Sequence, residues 1–251
     1  MQTIVTVIFF IYGLVFGSFF NVVGLRVPNG TLFAQTRSYC DTCQRTLTWK
    51  ELIPVWSFLR QRGHCRQCKE KISWLYPIME LTTGLLAAFT YYRYGWSEQM
   101  LLGILLIALI IPITVSDIAY RKIPNKLLLF FTPFFVVLRI LNPQPSFWAY
   151  ILGAVLAFSL VFVIILLSNG GMGVGDLKYF ALLGFIFGPV LFLLLFFLAT
   201  LYGAVIGFIM MKLKKDNRKM TIPFGPYIGL SALTVFYFGE AIIQWYLSFL
   251  S

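Results

Sequence analysis

Charged residues are scarce in this chain of 251 residues, and acidic residues are the scarcest, with 9 positions against 20 lysines and arginines. Charged side chains make up 12% of the sequence, hydrophobic side chains make up 59%, and the mean hydropathy is +0.84. Soluble globular domains carry about a quarter charged residues. The composition therefore excludes an ordinary soluble domain and predicts a protein that crosses a membrane several times.

Histidine and cysteine are also rare. His64 is the single histidine and lies between two CxxC pairs, so no Ser-His-Asp catalytic set is available. The four cysteines all belong to these two pairs. This pattern indicates a metal site, and metal-bound thiolates suit a reducing cytoplasmic face better than a disulfide does.

A cleavable signal peptide is a further feature that the sequence lacks. The residues before the first apolar run include no basic side chain, and the run at residues 4–25 continues without a small-residue cleavage site. We therefore expect this run to be retained as the first membrane span.

Long apolar runs predict an all-α polytopic membrane protein with about eight transmembrane helices. They lie at residues 4–25, 78–94, 100–115, 126–141, 147–167, 177–211 (two spans that separate at Gly188-Pro189) and 222–250. Basic residues concentrate at 26–77, 120–122 and 212–219. The positive-inside rule places these segments in the cytoplasm and the N-terminus outside. The net charge of +11 thus reflects topology in a lipid bilayer and does not indicate a nucleic-acid partner.

Residues 26–77 carry the two cysteine pairs, Cys40 with Cys43 and Cys65 with Cys68, separated by twenty-one residues. Two such pairs supply four thiolates for a tetrahedral Zn²⁺ whose coordination shell is full, so the predicted zinc is structural. An iron-sulfur cluster or a redox pair is the alternative. A loop of this size buries little apolar core, and the metal would replace that stabilisation.

Asp117 and Asp176 occupy equivalent positions, each at the predicted cytoplasmic end of a span. Asp176 ends the segment Gly171-Met172-Gly173-Val174-Gly175-Asp176, whose glycines leave room for another backbone to approach. Two facing carboxylates share a proton and activate water as a unit. The alternatives are structural, namely a helix cap for Asp176 and a cap or an ion pair with Arg121 for Asp117. A proton- or cation-coupled transporter that uses the same two aspartates is the rival function.

These residues together resemble a known family. Gly173-Val174-Gly175-Asp176 is similar to the GxGD motif of intramembrane aspartyl proteases. With Asp117 before Ile123-Pro124, the CxxC pairs, Gly17-Ser18-Phe19-Phe20-Asn21-Val22-Val23 and Pro223-Phe224-Gly225-Pro226, the chain resembles the type IV prepilin peptidases over nearly its whole length.

The resemblance implies a multi-pass enzyme of the bacterial cytoplasmic membrane, with its active site facing the cytoplasm. Its substrates would be type IV prepilins or the pseudopilins of competence and type II secretion, from which it removes a basic leader. Asp117 and Asp176 match the catalytic aspartates, and Gly173 and Gly175 match the active-site loop. Ala119 replaces a second acidic residue that some relatives carry, which leaves Asp117 unambiguous.

Many relatives also N-methylate the new terminus with S-adenosylmethionine, and the zinc loop is associated with that activity. Glu80 matches a family pattern that implies a role near the methyl-donor site. The resulting domain prediction is a first span at 1–25, a zinc-binding methyltransferase loop at 26–77 and a transmembrane aspartyl peptidase domain at 78–251. The sequence does not identify the particular pilin or the oligomeric state.

Overall fold

Helices make up most of the computed structural model, which describes residues 1–33, 37–40, 42–143, 146–168, 171–213 and 223–249. Within these ranges there is no β-strand beyond two isolated bridges. The helices are α1 (Gln2–Arg26), α2 (Trp56–Arg60), α3 (Leu75–Tyr94), α4 (Glu98–Tyr120), α5 (Asn125–Leu141), α6 (Phe147–Leu167), α7 (Val174–Leu213) and α8 (Gly225–Leu247), with 3-10 turns at Val27–Asn29 and Trp49–Glu51. The predicted all-α class is confirmed.

Five of the described helices are long and apolar enough to cross a membrane: α1, α4, α6, α7 and α8. Helix α7 contains a break at Gly188, where the backbone leaves the helical region (φ 74°, ψ 177°) immediately before Pro189. Proline lacks the N–H that would continue the helix. The structure therefore contains a helix break at the predicted position, Gly188-Pro189. The basic segment predicted at 212–219 lies outside the described residues from 214 onward.

The chain divides into two compact units, Met1–Ala119 and Tyr120–Ser251. In the first unit α1 packs closely on α3. A Cβ added to Gly13 would lie 2.7 Å from the Cα of Gly84, and one added to Gly17 would lie 2.8 Å from the Cα of Glu80. The two backbones therefore approach through small residues, as is common between membrane helices.

In the second unit α6 and α7 pack through Gly153 and Gly184, where an added Cβ on either glycine would overlap the backbone of the other helix. An aromatic cluster joins the two halves of α7 to the start of α8. The ring of Phe180 lies 6.1 Å from Phe192, 5.4 Å from Phe196 and 6.1 Å from Phe224. This packing fixes the half of α7 that begins at the glycine turn.

Candidate metal centre and candidate active site

The two CxxC pairs form turns of the same shape. In the first, the N–H of Cys40 donates to the carbonyl of Arg45 at 2.9 Å, and in the second the N–H of Cys65 donates to the carbonyl of Glu70 at 2.8 Å. The residue after each second cysteine, Gln44 and Lys69, has a positive φ of 55° and 59°. An isolated antiparallel bridge encloses each turn. The two turns thus present their thiols in equivalent ways.

The four sulfur atoms converge. The Sγ atoms of Cys40, Cys43, Cys65 and Cys68 all lie within 4.8 Å of one another, and those of Cys40 and Cys68 are 3.7 Å apart. A tetrahedral Zn²⁺ with bonds of about 2.3 Å requires sulfur-sulfur distances of about 3.8 Å. Backbone N–H groups of Cys68 and Gln67 lower the pKa of Cys65, whereas burial and the neighbouring thiols raise the pKa of Cys68. The donor set therefore fits a metal ion that binds soft ligands.

Glu51 connects the two cysteine turns. Its carboxylate accepts two hydrogen bonds from the guanidinium of Arg45, at 2.7 and 3.0 Å, and lies 3.8 Å from the Nε of Arg66. It also accepts the N–H and the hydroxyl of Thr48, at 3.0 and 2.9 Å. The Glu51 side chain is 1% exposed, and the Arg45 hydrogen bonds lower its pKa to about 2. Because Arg45 and Arg66 belong to different turns, Glu51 links the two turns to each other.

Asp176 lies in the first turn of α7, and its side chain reaches back toward the glycine segment. Its Oδ2 accepts the N–H of Gly173 at 3.0 Å. This is the geometry of a helix cap, in which a carboxylate satisfies an N–H that has no partner within the helix. The helix dipole also stabilises the negative charge there. Helix capping, considered above as a structural role for Asp176, is therefore present in the structure.

The two glycines beside Asp176 serve close contacts within the second unit. A Cβ added to Gly173 would lie 3.1 Å from Oδ2 of Asp176, and one added to Gly175 would lie 3.1 Å from the Cβ of Ile123. Gly173 thus leaves space for the carboxylate, and Gly175 lets the start of α7 approach the residue that precedes Pro124. The glycines therefore shape the surroundings of Asp176 directly.

Asp117 lies in the last turn of α4, in the first unit, and is 5% exposed. Thirteen further residues of α4, from Met100 to Ser116, are also buried. Burial of a carboxyl group is costly unless the group is hydrogen-bonded or paired. Each aspartate lies at a helix end of its own unit, Asp117 at the C-terminal end of α4 and Asp176 at the N-terminal end of α7.

Glu80 lies on α3 and is 7% exposed. Its Oε2 accepts the N–H of Val55 at 2.7 Å, which connects α3 to the segment that precedes α2. On the facing helix, Asn21 is 1% exposed and donates through Nδ2 to the carbonyl of Tyr76 at 3.1 Å. Its Oδ1 has no hydrogen-bond donor among the described residues. The α1–α3 interface is therefore polar at this point.

Sequence reasoning assigned no role to Asn21 or Glu51. Asn21 is a lone amide inside an apolar run, which is itself a signal because a polar side chain within a membrane span is costly. Glu51 follows Thr48 by three residues, the spacing of a capping box, and the structure contains that box. The ion pairs of Glu51 with Arg45 and Arg66 have no such local signal.

These features define a helical membrane protein with a cluster of four cysteines that fits a metal ion and an aspartate held at a glycine turn. Comparison with known proteins identifies the family. Residues 11–94 match the model of the bacterial peptidase A24 N-terminal domain, and residues 103–208 match that of the type IV leader peptidase family. The chain belongs to the type IV leader peptidase family.

Relatives match over almost the full chain. A prepilin leader peptidase/N-methyltransferase of Bacillus subtilis is 38% identical over 96% of this chain and 97% of its own length. Proteins of the same name from Neisseria gonorrhoeae and Legionella pneumophila are each 30% identical, over 95% and 85% of this chain and 93% and 76% of their own lengths. No solved structure matches the chain. These relatives give the transporter alternative no support.

Proposed function

We propose that this protein is a membrane aspartyl endopeptidase that removes the leader from type IV prepilins or pseudopilins and then N-methylates the new N-terminal residue. The observation that carries the proposal is the 38% identity to a prepilin leader peptidase/N-methyltransferase over 96% of the chain. The glycine turn that holds Asp176 agrees with it. The proposed location is the bacterial cytoplasmic membrane, with the active site facing the cytoplasm.

For cleavage, Asp117 and Asp176 are the proposed catalytic pair. One carboxylate takes a proton from water, whose oxygen attacks the scissile carbonyl carbon, while the other carboxyl group donates a proton to the carbonyl oxygen. The C–N bond then breaks, and the amine leaves with a proton from the pair. Gly173 and Gly175 form the proposed active-site loop. Their support is the space they provide beside Asp176 and Ile123.

The proposed topology has about eight membrane spans. They are α1, α4, α6 and α8, the two halves of α7 counted separately, and the less apolar or shorter helices α3 and α5. The proposed domains are a first span at 1–25, a zinc-binding methyltransferase loop at 26–77 and a peptidase domain at 78–251. Cys40, Cys43, Cys65 and Cys68 would hold one structural Zn²⁺, whose contribution is to fold the loop. The convergence of the four thiols supports this assignment.

S-adenosylmethionine is the proposed cofactor, and it would supply the methyl group when bound. Glu80 is the proposed binding residue. Two observations support a polar site there: Glu80 is a buried carboxylate, and the facing Asn21 has a buried Oδ1 with no donor among the described residues. A ligand that carries an amine or a hydroxyl group could donate hydrogen bonds to the carboxylate of Glu80 and to Oδ1 of Asn21.

The test is co-expression with a prepilin, with leader loss and methyl addition followed by mass spectrometry. Asp117→Asn and Asp176→Asn keep the side-chain shape but cannot share a proton, so both variants should leave the leader attached. Glu98→Gln, at the other end of α4, is the matched control and should cut normally. If either aspartate variant cuts at the wild-type rate, that aspartate is structural and the proposed mechanism is wrong.

A further inference from the structure

The break at Gly188 makes residues 174–187 a short helix of their own, with Asp176 in its first turn. The last carbonyl groups of a helix have no partner within it, and Pro189 has no N–H to offer. In a bilayer an unsatisfied carbonyl is costly because no water replaces the missing donor. The end of this short helix therefore needs a donor from elsewhere.

Arg139 of α5 supplies that donor. Its Nη2 donates a hydrogen bond to the carbonyl oxygen of Ile186, within the last turn before the break. The guanidinium also lies 4.6 Å from the ring centroid of Tyr150 on α6, which holds it by a cation-π contact. A positive charge at a helix C-terminus is favourable. Arg139 thus joins α5, α6 and the short helix at one point.

The N-terminal end of α5 contacts the N-terminal end of the short helix. Asn125, the first residue of α5, accepts a hydrogen bond of 3.2 Å from Nζ of Lys178. Ile123, just before α5, occupies the space beside Gly175. Helix α5 and the residue before it therefore contact the short helix, residues 174–187, near both of its ends.

We propose that Arg139 is a positioning residue for leader cleavage: by capping Ile186 it fixes the axial position of the short helix, and with it the position of Asp176. The proposal rests on the catalytic role proposed for Asp176. A slip of the helix by one residue moves Asp176 by about 1.5 Å and turns it by about 100°. A misplacement of about 1 Å can cost about 100-fold in rate. The contact with Ile186 lies at the end of the short helix opposite to Asp176, so the effect proposed for Arg139 is indirect.

The experiment compares Arg139→Met with wild type in the purified full chain, using a prepilin for cleavage and a pilin without its leader for methylation. Arg139→Met keeps the length of the side chain and removes its donors. We expect kcat for cleavage to fall about 100-fold with KM and methylation nearly unchanged, while the thermal unfolding midpoint falls because the carbonyl of Ile186 loses its donor. Arg139→Lys, which keeps a cation and a donor, should restore most of kcat. Arg93→Met, on an exposed arginine that lies over Tyr94, is the matched control and should behave as wild type.

Wild-type kcat in Arg139→Met would overturn the proposal, and so would equal losses of cleavage and methylation, which would indicate a general folding role. If Arg139→Met does not fold, Tyr150→Leu decides. This variant keeps the guanidinium but removes the ring beneath it, so a lower kcat at unchanged KM supports the proposal and a wild-type kcat overturns it. Asp176→Asn separates the two hypotheses. If it still cuts, the proposed catalytic function fails, whereas if it is inactive and Arg139→Met is normal, only the role of Arg139 fails.

Discussion

The backbone N–H of Val55 donates a hydrogen bond of 2.7 Å to the buried carboxylate of Glu80. Val55 has a positive φ of 60°, which is costly for a β-branched residue and is maintained by its surroundings. The bond joins the cysteine-bearing loop to α3 inside the first unit. Glu80 therefore has a positioning role toward the loop in addition to the ligand-binding role proposed for it.

Replacement of this acceptor should release the segment around α2. In Glu80→Ala the N–H of Val55 is left without a partner, at a cost of about 1–3 kcal/mol. We expect faster hydrogen exchange at Val55 and through α2 (Trp56–Arg60), measured by mass spectrometry on the purified protein. Glu80→Gln keeps an acceptor oxygen and is the matched control. Equal exchange in Glu80→Ala and wild type would show that the bond does not hold the loop.

The thiol cluster predicts one zinc ion per chain. Cys65→Ser should lose the metal in elemental analysis, and hydrogen exchange in the loop should then rise, because binding of the metal supplies part of the folding free energy. The helices of the second unit should keep their protection. His64→Ala is the matched control, since the ring Nδ1 of His64 lies 2.6 Å from the carbonyl of Arg62 and His64 is not among the four clustered ligands. Loss of zinc in His64→Ala would contradict the four-thiolate assignment.

Glu51 should affect metal binding with a defined pH dependence. Its pKa in the folded chain is about 2, below the ordinary 4.5, because Arg45 donates two hydrogen bonds to it. A lowered pKa contributes stability that is complete above the ordinary value and is lost as pH falls through the folded one. Glu51→Gln should therefore lower zinc affinity by about 10- to 100-fold, and by the same factor at about pH 6 and about pH 8.

The measurement is a competition titration with a zinc chelator at both pH values. Glu70→Gln is the matched control, because Glu70 is exposed and contributes to the second turn through its backbone carbonyl. A wild-type affinity in Glu51→Gln would mean that the ion pairs with Arg45 and Arg66 do not support the site. If Glu51→Gln lowered zinc affinity at one of the two pH values but not at the other, the lowered pKa of Glu51 would be contradicted.

The parts of this molecule that follow from local pattern were predictable, and the parts that depend on distant contacts were not. The break in α7 follows from Gly188-Pro189, and the convergence of the four cysteines follows from the CxxC spacing. The Arg139 cap on Ile186 and the Val55 bond to Glu80 join residues 47 and 25 positions apart, and no periodicity signals such a pair.

The glycines at 173 and 175 show a related limit of sequence reasoning. Their presence beside Asp176 indicates that something must come close, but it does not say what. The structure fills one space with the Asp176 carboxylate itself and the other with Ile123. Only the arrangement of α5 and α7 in three dimensions distinguishes these contacts from the approach of a substrate backbone.

Gly173→Ala tests whether the space beside the Asp176 carboxylate matters for cleavage. The added Cβ would lie 3.1 Å from Oδ2, so the carboxylate must move by a few tenths of an ångström, and we expect kcat for leader removal to fall by about 10-fold or more. Gly171→Ala is the matched control. Its Cβ would lie at the same distance, 3.1 Å, from the Cβ and the Oγ of Ser168, so the adjustment falls on the residue that ends α6 and not on the Asp176 carboxylate, and cleavage should stay near wild type. If the two alanine variants cut equally well, the turn does not position Asp176, and its glycines serve only to join α6 to α7.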